Sequence, residues 1–206
     1  MSTRDIESAR VGMLAVGGLA LAALVASCAT TEMTNTWTDP AAKGGAALSK
    51  VAVVCMTKDE GLRRQSEDSA AAQLRQKGAQ AIPSYQLTGD ADLKDREAVK
   101  AKLTAAGVDG VLVMRVTGVN EQVTAVEGPY ATFDGYYDFA GGAAFAPGYL
   151  ETDTIVHVVS NLYDLNKNKL IWSGTSKTFD PASASQFMTD VSKAVAISLQ
   201  KDRLII

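Results

Sequence analysis

Histidine and cysteine are nearly missing from this sequence, which has His 1 and Cys 2 in 206 residues. With so few ligating side chains, no Cys/His metal spacing can be assembled, and no internal disulfide framework either. Neither a Gly-x-Ser-x-Gly elbow nor a Walker-type phosphate loop occurs, so no cofactor is expected. Charge of one sign is also lacking. The net charge of −3 carries none of the basic footprint of a nucleic-acid binder and implies little beyond solubility. Proline is sparse, at 5 residues, and no apolar run reaches the roughly 20 residues that span a bilayer. Hydrophobic residues still make up 47% of the chain and charged residues 21%. These are ordinary values for a globular domain with a sizeable core.

The longest apolar stretch is at the start. Residues 1–10 are polar and contain Arg4 and Arg10, partly offset by Asp5 and Glu7. Residues 11–25 are almost entirely Val, Leu, Ala, Gly and Met, the length of a signal-peptide apolar region. The stretch ends in Val25-Ala26-Ser27-Cys28. An aliphatic residue, two small residues and a cysteine resemble the lipobox of bacterial lipoproteins. That resemblance implies cleavage between Ser27 and Cys28, with residues 1–27 removed and Cys28 acylated. Several acyl chains amount to stable anchoring, where one is marginal. Ala29 follows in place of the Asp that favours inner-membrane retention in enterobacteria. The implied location is the outer membrane, facing the periplasm, with the membrane as partner through the lipid on Cys28.

Residues 28–48 are rich in Thr, Ala and Gly and read as a lipidated tether. About 20 flexible residues would reach roughly 25 Å. Trp37 is the exception there, and either docks on the domain or is a chance exposed aromatic. A single α/β domain is expected over residues 49–206. Residues 50–56 form a strand buried on both faces. Thr57 and Glu60 match a capping box, opening a helix that Gly78 stops. Leu62, Ser66, Ala70 and Leu74 would be its buried face. Residues 79–85 give an edge strand broken by Pro83, residues 93–106 a second helix stopped by Gly107, and residues 111–116 a third strand. This β-α-β-α-β order predicts a parallel start. A further strand over residues 116–126 and two long ones over residues 151–165 and 169–179 would follow. Asn166-Lys167-Asn168 turns the last pair into a hairpin. Asp180-Pro181 would open a final helix with Phe187, Val191, Ala194, Val195 and Leu199 on its apolar stripe. The expected architecture is a mixed α/β (α+β) fold: one mixed sheet with helices packed on it.

The run Asn161-Leu162-Tyr163-Asp164-Leu165-Asn166-Lys167-Asn168-Lys169-Leu170-Ile171-Trp172-Ser173 resembles a hairpin of bacterial envelope lipoproteins. Together with the lipobox and the strand–helix–strand opening, the chain looks like uncharacterised bacterial lipoproteins related to the curli secretion-channel subunit and the TolB N-terminal domain. The resemblance implies an α/β fold similar to anticodon-binding domains and an envelope location, and no catalytic task. The residues also explain themselves: Asp164 can bond the turn backbone, Asn168 tolerates positive φ, and Trp172 can cap a core.

Candidate chemistry is thin. His157 lies in mid-strand, and Ser160, three residues on, would point to the opposite face. Cys55, inside an apolar run, reads as a buried inert thiol. The acids Glu121, Glu127, Asp134, Asp138, Glu151 and Asp153 read as a solvated rim. The unusual region is residues 128–150. It holds Tyr130, Phe133, Tyr136, Tyr137, Phe139, Phe145 and Tyr149 among five glycines, more than half of an aromatic complement of Phe 5, Trp 2 and Tyr 6. Long loops of this kind are often functional. Either it completes the core, or it is a contact surface for an envelope protein, a glycan or the membrane. The expected function is a non-enzymatic binding or scaffolding module. The alternatives are an envelope hydrolase without a recognisable motif, or a subunit of an oligomeric secretion assembly.

Overall fold

A computed structural model of the chain describes residues 30–89, 95–126 and 149–206. Six strands, β1 (Thr30–Thr38), β2 (Lys50–Cys55), β3 (Gln80–Pro83), β4 (Gly110–Val126), β5 (Tyr149–Asp164) and β6 (Lys169–Phe179), form one mixed sheet in the order β1-β6-β5-β4-β2-β3. Three helices pack on it: α1 (Glu60–Gln76), α2 (Arg96–Ala105) and α3 (Ala184–Lys201). β2 pairs in parallel with both β3 and β4, while β4–β5, β5–β6 and β6–β1 are antiparallel. The expected fold class is therefore the observed one.

Adjacent residues of β2 show how the layers divide. Val51, Val53 and Cys55 join the large core beneath α1 and α3, with Leu74, Val191, Val195 and Leu199. Ala52 points the other way, into a smaller cluster with Leu103 of α2 and Val108. This period-2 alternation on a strand buried on both faces is why β2 reads as a continuous apolar run. Gly78 and Gly107 end α1 and α2 at φ +99° and +71°, as a left-handed cap position requires.

Three local expectations are corrected. The tether is the largest. Thr30–Thr38 is an edge strand whose Thr30 pairs with Phe179 and whose Thr38 pairs with Trp172. Beyond it Asp39 and Leu48 are buried, and Leu48 N–H donates to the Leu204 carbonyl at 2.8 Å. Threonine favours strands by its β-branching. An edge strand with one open face needs no apolar alternation, so its polar composition disguised it. Trp37 is 47% exposed on this strand.

The helix starts are the second correction. Asp59 caps α1, accepting from Leu62 N–H at 2.8 Å, while Thr57 only accepts from Asp59 N–H at 3.4 Å. Ser183, not Asp180, caps α3, accepting from Gln186 N–H at 3.1 Å. Asp180 instead sits at φ +41° and ties back to β5: its carboxylate accepts from Thr154 N–H. Third, the two strands expected over residues 111–126 are a single 17-residue strand with a bulge between Val116 and Gly118.

Candidate functional site

That bulge has a consequence for the sheet's surface. One extra residue reverses the inside–outside alternation. Leu112, Met114 and Val116 before it, and Val119, Glu121 and Val123 after it, therefore face the same side, opposite Leu162, Ser160, Val158, Val156, Thr154 and Thr152. The apolar face that α1 and α3 cover thus continues up β4, where no described element covers it: Val116, Val119 and Val123 are 46%, 61% and 59% exposed. β2 stops pairing with β4 at Met114, and β6 stops pairing with β5 at Ile155. Past that level, residues 121–126 and 149–154 continue alone as a two-stranded arm. Six residues of strand extend it by about 20 Å. Its two strand ends are joined by residues 127–148.

The start of β1 lies at this same end, because Thr30 pairs with Phe179 and Phe179 with Ile155. Ser27 and Cys28 lie outside the described residues. So do Tyr130, Phe133, Tyr136, Tyr137, Phe139 and Phe145; of Tyr149 only the backbone is described, as the partner of Val126.

The residues considered for catalysis do not converge. His157 pairs with Lys177 and is half-buried, whereas Ser160 is 1% exposed on the opposite, helix-covered face. Among the described residues no group of three or more His, Cys, Asp and Glu side chains comes together, and no helix is long and apolar enough to cross a membrane. Cys55 is a buried free thiol. Burial first, and the neighbouring Glu67 carboxylate second, push its pKa up to about 12. It is therefore almost entirely protonated at neutral pH and unreactive.

Glu67 is the polar residue that sequence reasoning missed. It is fully buried on α1. Its carboxylate accepts from Cys55 N–H at 3.2 Å, from Ser84 Oγ–H at 2.8 Å and from Tyr85 N–H at 3.1 Å. One side chain thereby serves the end of β2 and the short 3-10 turn Ser84–Gln86 that follows β3. The only available signal was its place one residue after Ser66 on the buried face of α1, where its charge argued for solvent.

The hairpin motif is structural. Asp164 accepts from Lys167 N–H at 2.9 Å and pairs with Lys167 Nζ at 2.8 Å, and Asn168 adopts φ +50°. Lys169 reaches across to Asp39 at the end of β1, at 2.5 Å. The Lys169 ammonium and the Ala41 N–H hold the Asp39 carboxyl below its usual pKa. Burial alone would raise Asp164, but the hydrogen bonds and charge of Lys167 outweigh it and lower its pKa too. A carboxyl depressed in the folded state stabilises above its unfolded pKa, about 3.9. That contribution is lost as pH falls through the folded value. The melting temperature is accordingly expected to hold from neutral pH to about 5 and to drop below about 4. In Asp39→Asn/Asp164→Asn it should start lower at pH 7 and fall less on acidification. Thermal melts across pH check this; an unchanged acid slope in the double variant would remove these two groups as the cause.

No protein-family model matches the chain, and no curated protein matches it. Solved structures do resemble it. A PelC L103M dodecamer from Paraburkholderia phytofirmans is 17% identical, with TM-score 0.45, over 82% of this chain and 96% of that one. The lipoprotein GNA1162 from Neisseria meningitidis is 18% identical, with TM-score 0.41, over 74% of this chain and 99% of that one. At such identities the likeness is one of fold alone, and no partner, activity or assembly passes from these proteins to this one.

Proposed function

We propose that this chain is a lipid-anchored outer-membrane protein of the bacterial envelope. It faces the periplasm and binds another envelope component, a protein or a glycan, without catalysing a reaction. The observation that carries this reading is the β4–β5 arm. It projects past the sheet, keeps Val119 and Val123 uncovered, and leads into the aromatic–glycine segment at residues 128–150. Exposed apolar surface of this kind, outside the core, is characteristic of a contact site. Acylation at Cys28 would put the membrane anchor two residues before Thr30. Two residues span at most about 7 Å, so the domain is held close to the bilayer with the arm at the anchored end, in place of a mobile 25 Å tether.

Photocrosslinking in intact cells tests it. A photoreactive residue at position 119 or 123 is expected to give a discrete adduct with one envelope component. The same residue at Lys201, at the far end of α3, should give none. A protein that accumulates normally but yields no adduct from either arm position would overturn the contact reading.

A further inference from the structure

β2 ends beside β4, with Cys55 opposite Met114, while β4 runs on past it. From β2 the chain leaves through α1 to one face of the sheet, and it reaches β4 through α2 on the other. In open α/β sheets such a point, where successive connections take opposite faces, leaves a crevice at the carboxyl ends of the strands. Here the crevice is a cavity of about 870 Å³, within the size range of small-molecule sites.

Its walls are apolar. Val54 and Val113 rise from the sheet, Val99 and Leu103 face them from α2, and Met56 forms a lip that is 59% exposed. Among the described residues the charged side chains that line it are all basic. Lys58 and Arg115 line it and are exposed, and neither has an ion pair among the described residues. Arg63 also lines it but is already engaged. Among the described residues no Asp or Glu lines the cavity. The nearby Glu67 carboxylate is occupied by Cys55 N–H, Ser84 Oγ–H and Tyr85 N–H. An apolar slot that ends at two exposed cations matches one chemistry: an alkyl chain with an anionic head.

We propose that this crevice binds a single-chain anionic amphiphile. The alkyl chain lies between α2 and the sheet, and the carboxylate or phosphate head meets Lys58 and Arg115. The site stands apart from the arm, so it does not depend on what the arm contacts.

The test uses the full protein as it accumulates in cells, exchanged into nanodiscs of zwitterionic phosphatidylcholine. Three photoreactive 16-carbon probes are compared, ending in a carboxylate, a phosphate or a trimethylammonium group. At least one anionic probe is expected to label peptides containing Met56, Val99 or Leu103 at least tenfold more than the cationic probe. Lys58→Glu/Arg115→Glu changes two exposed side chains and should leave the melting temperature within a few degrees. It should cut anionic labelling at least tenfold and favour the cationic probe. Equal labelling by all three probes would overturn the proposal. So would anionic labelling undiminished in the double variant, or label scattered over the surface.

Discussion

Replacing Trp172 by alanine is expected to cost about 3–5 kcal/mol, the range for removing a large aromatic from a core. Against the roughly 5–15 kcal/mol that holds a domain folded, that is the largest stability loss expected of any single side chain here. Trp172 is fully buried on β6, between Leu162 of β5 and Thr38 of β1. Its ring lies over Gly174. A Cβ at that glycine would stand 2.3 Å from Trp172 Cη2 and 2.6 Å from Met33 Cε, a contact that a packed core cannot absorb without moving the ring. Gly174→Ala should therefore destabilise strongly in the presence of Trp172 and far less in its absence, so the two substitutions couple. Among the described residues the indole Nε1 has no hydrogen-bond partner. Trp172→Phe keeps a large aromatic ring in the core and should retain most of the stability. Urea unfolding of the four variants measures this. A loss below about 1 kcal/mol in Trp172→Ala, or strict additivity with Gly174→Ala, would show that the ring does not hold β1, β5 and β6 together.

Cys28→Ser should abolish lipid attachment altogether. Only a thiolate at the lipobox position accepts the diacylglycerol group, and a serine hydroxyl, far less acidic, does not. Metabolic labelling with a radioactive fatty acid should mark the wild type and leave the variant unlabelled, with the unprocessed precursor retained. The variant's domain should melt as the wild type does, since the core cluster and the residues packed on it, Met33 the first of them, all follow Cys28 in the chain. Equal label on both proteins would end the lipoprotein reading, and with it the orientation inferred from the closeness of Cys28 to β1.

Most of the elements were legible because their signals are local. β2 and β6 announced themselves by apolar runs and alternation, the hairpin by Asp164 and Asn168, and the ends of α1 and α2 by Gly78 and Gly107. β1 was not legible. An edge strand is stabilised by pairing with β6 and by the Asp39–Lys169 contact, and both partners lie more than a hundred residues away. The continuity of β4 was hidden for a related reason. A bulge breaks the period-2 pattern from which a strand is read, although the backbone continues through it. Ala194 shows the limit of counting on a helix. It fits the apolar stripe but is only half-buried, while Met188, Ser192 and Ala196 complete the buried face.

Periodicity and turn chemistry alone determined the α/β class, the parallel opening and the closing hairpin, because each depends on residues a few positions apart. The proposed lipobox likewise rests on four consecutive residues, Val25 to Cys28. Tertiary structure decided everything that depends on which strands become neighbours. It made a strand of the apparent tether. It turned the charged Glu67 inward, because two backbone N–H groups and a hydroxyl converge on it there. It brought Lys58 and Arg115, 57 positions apart, to the mouth of one apolar crevice, since β2 runs parallel to β4 and ends beside Met114. Such placements arise from pairing across the sheet, and a linear pattern carries no record of which strand will lie beside which.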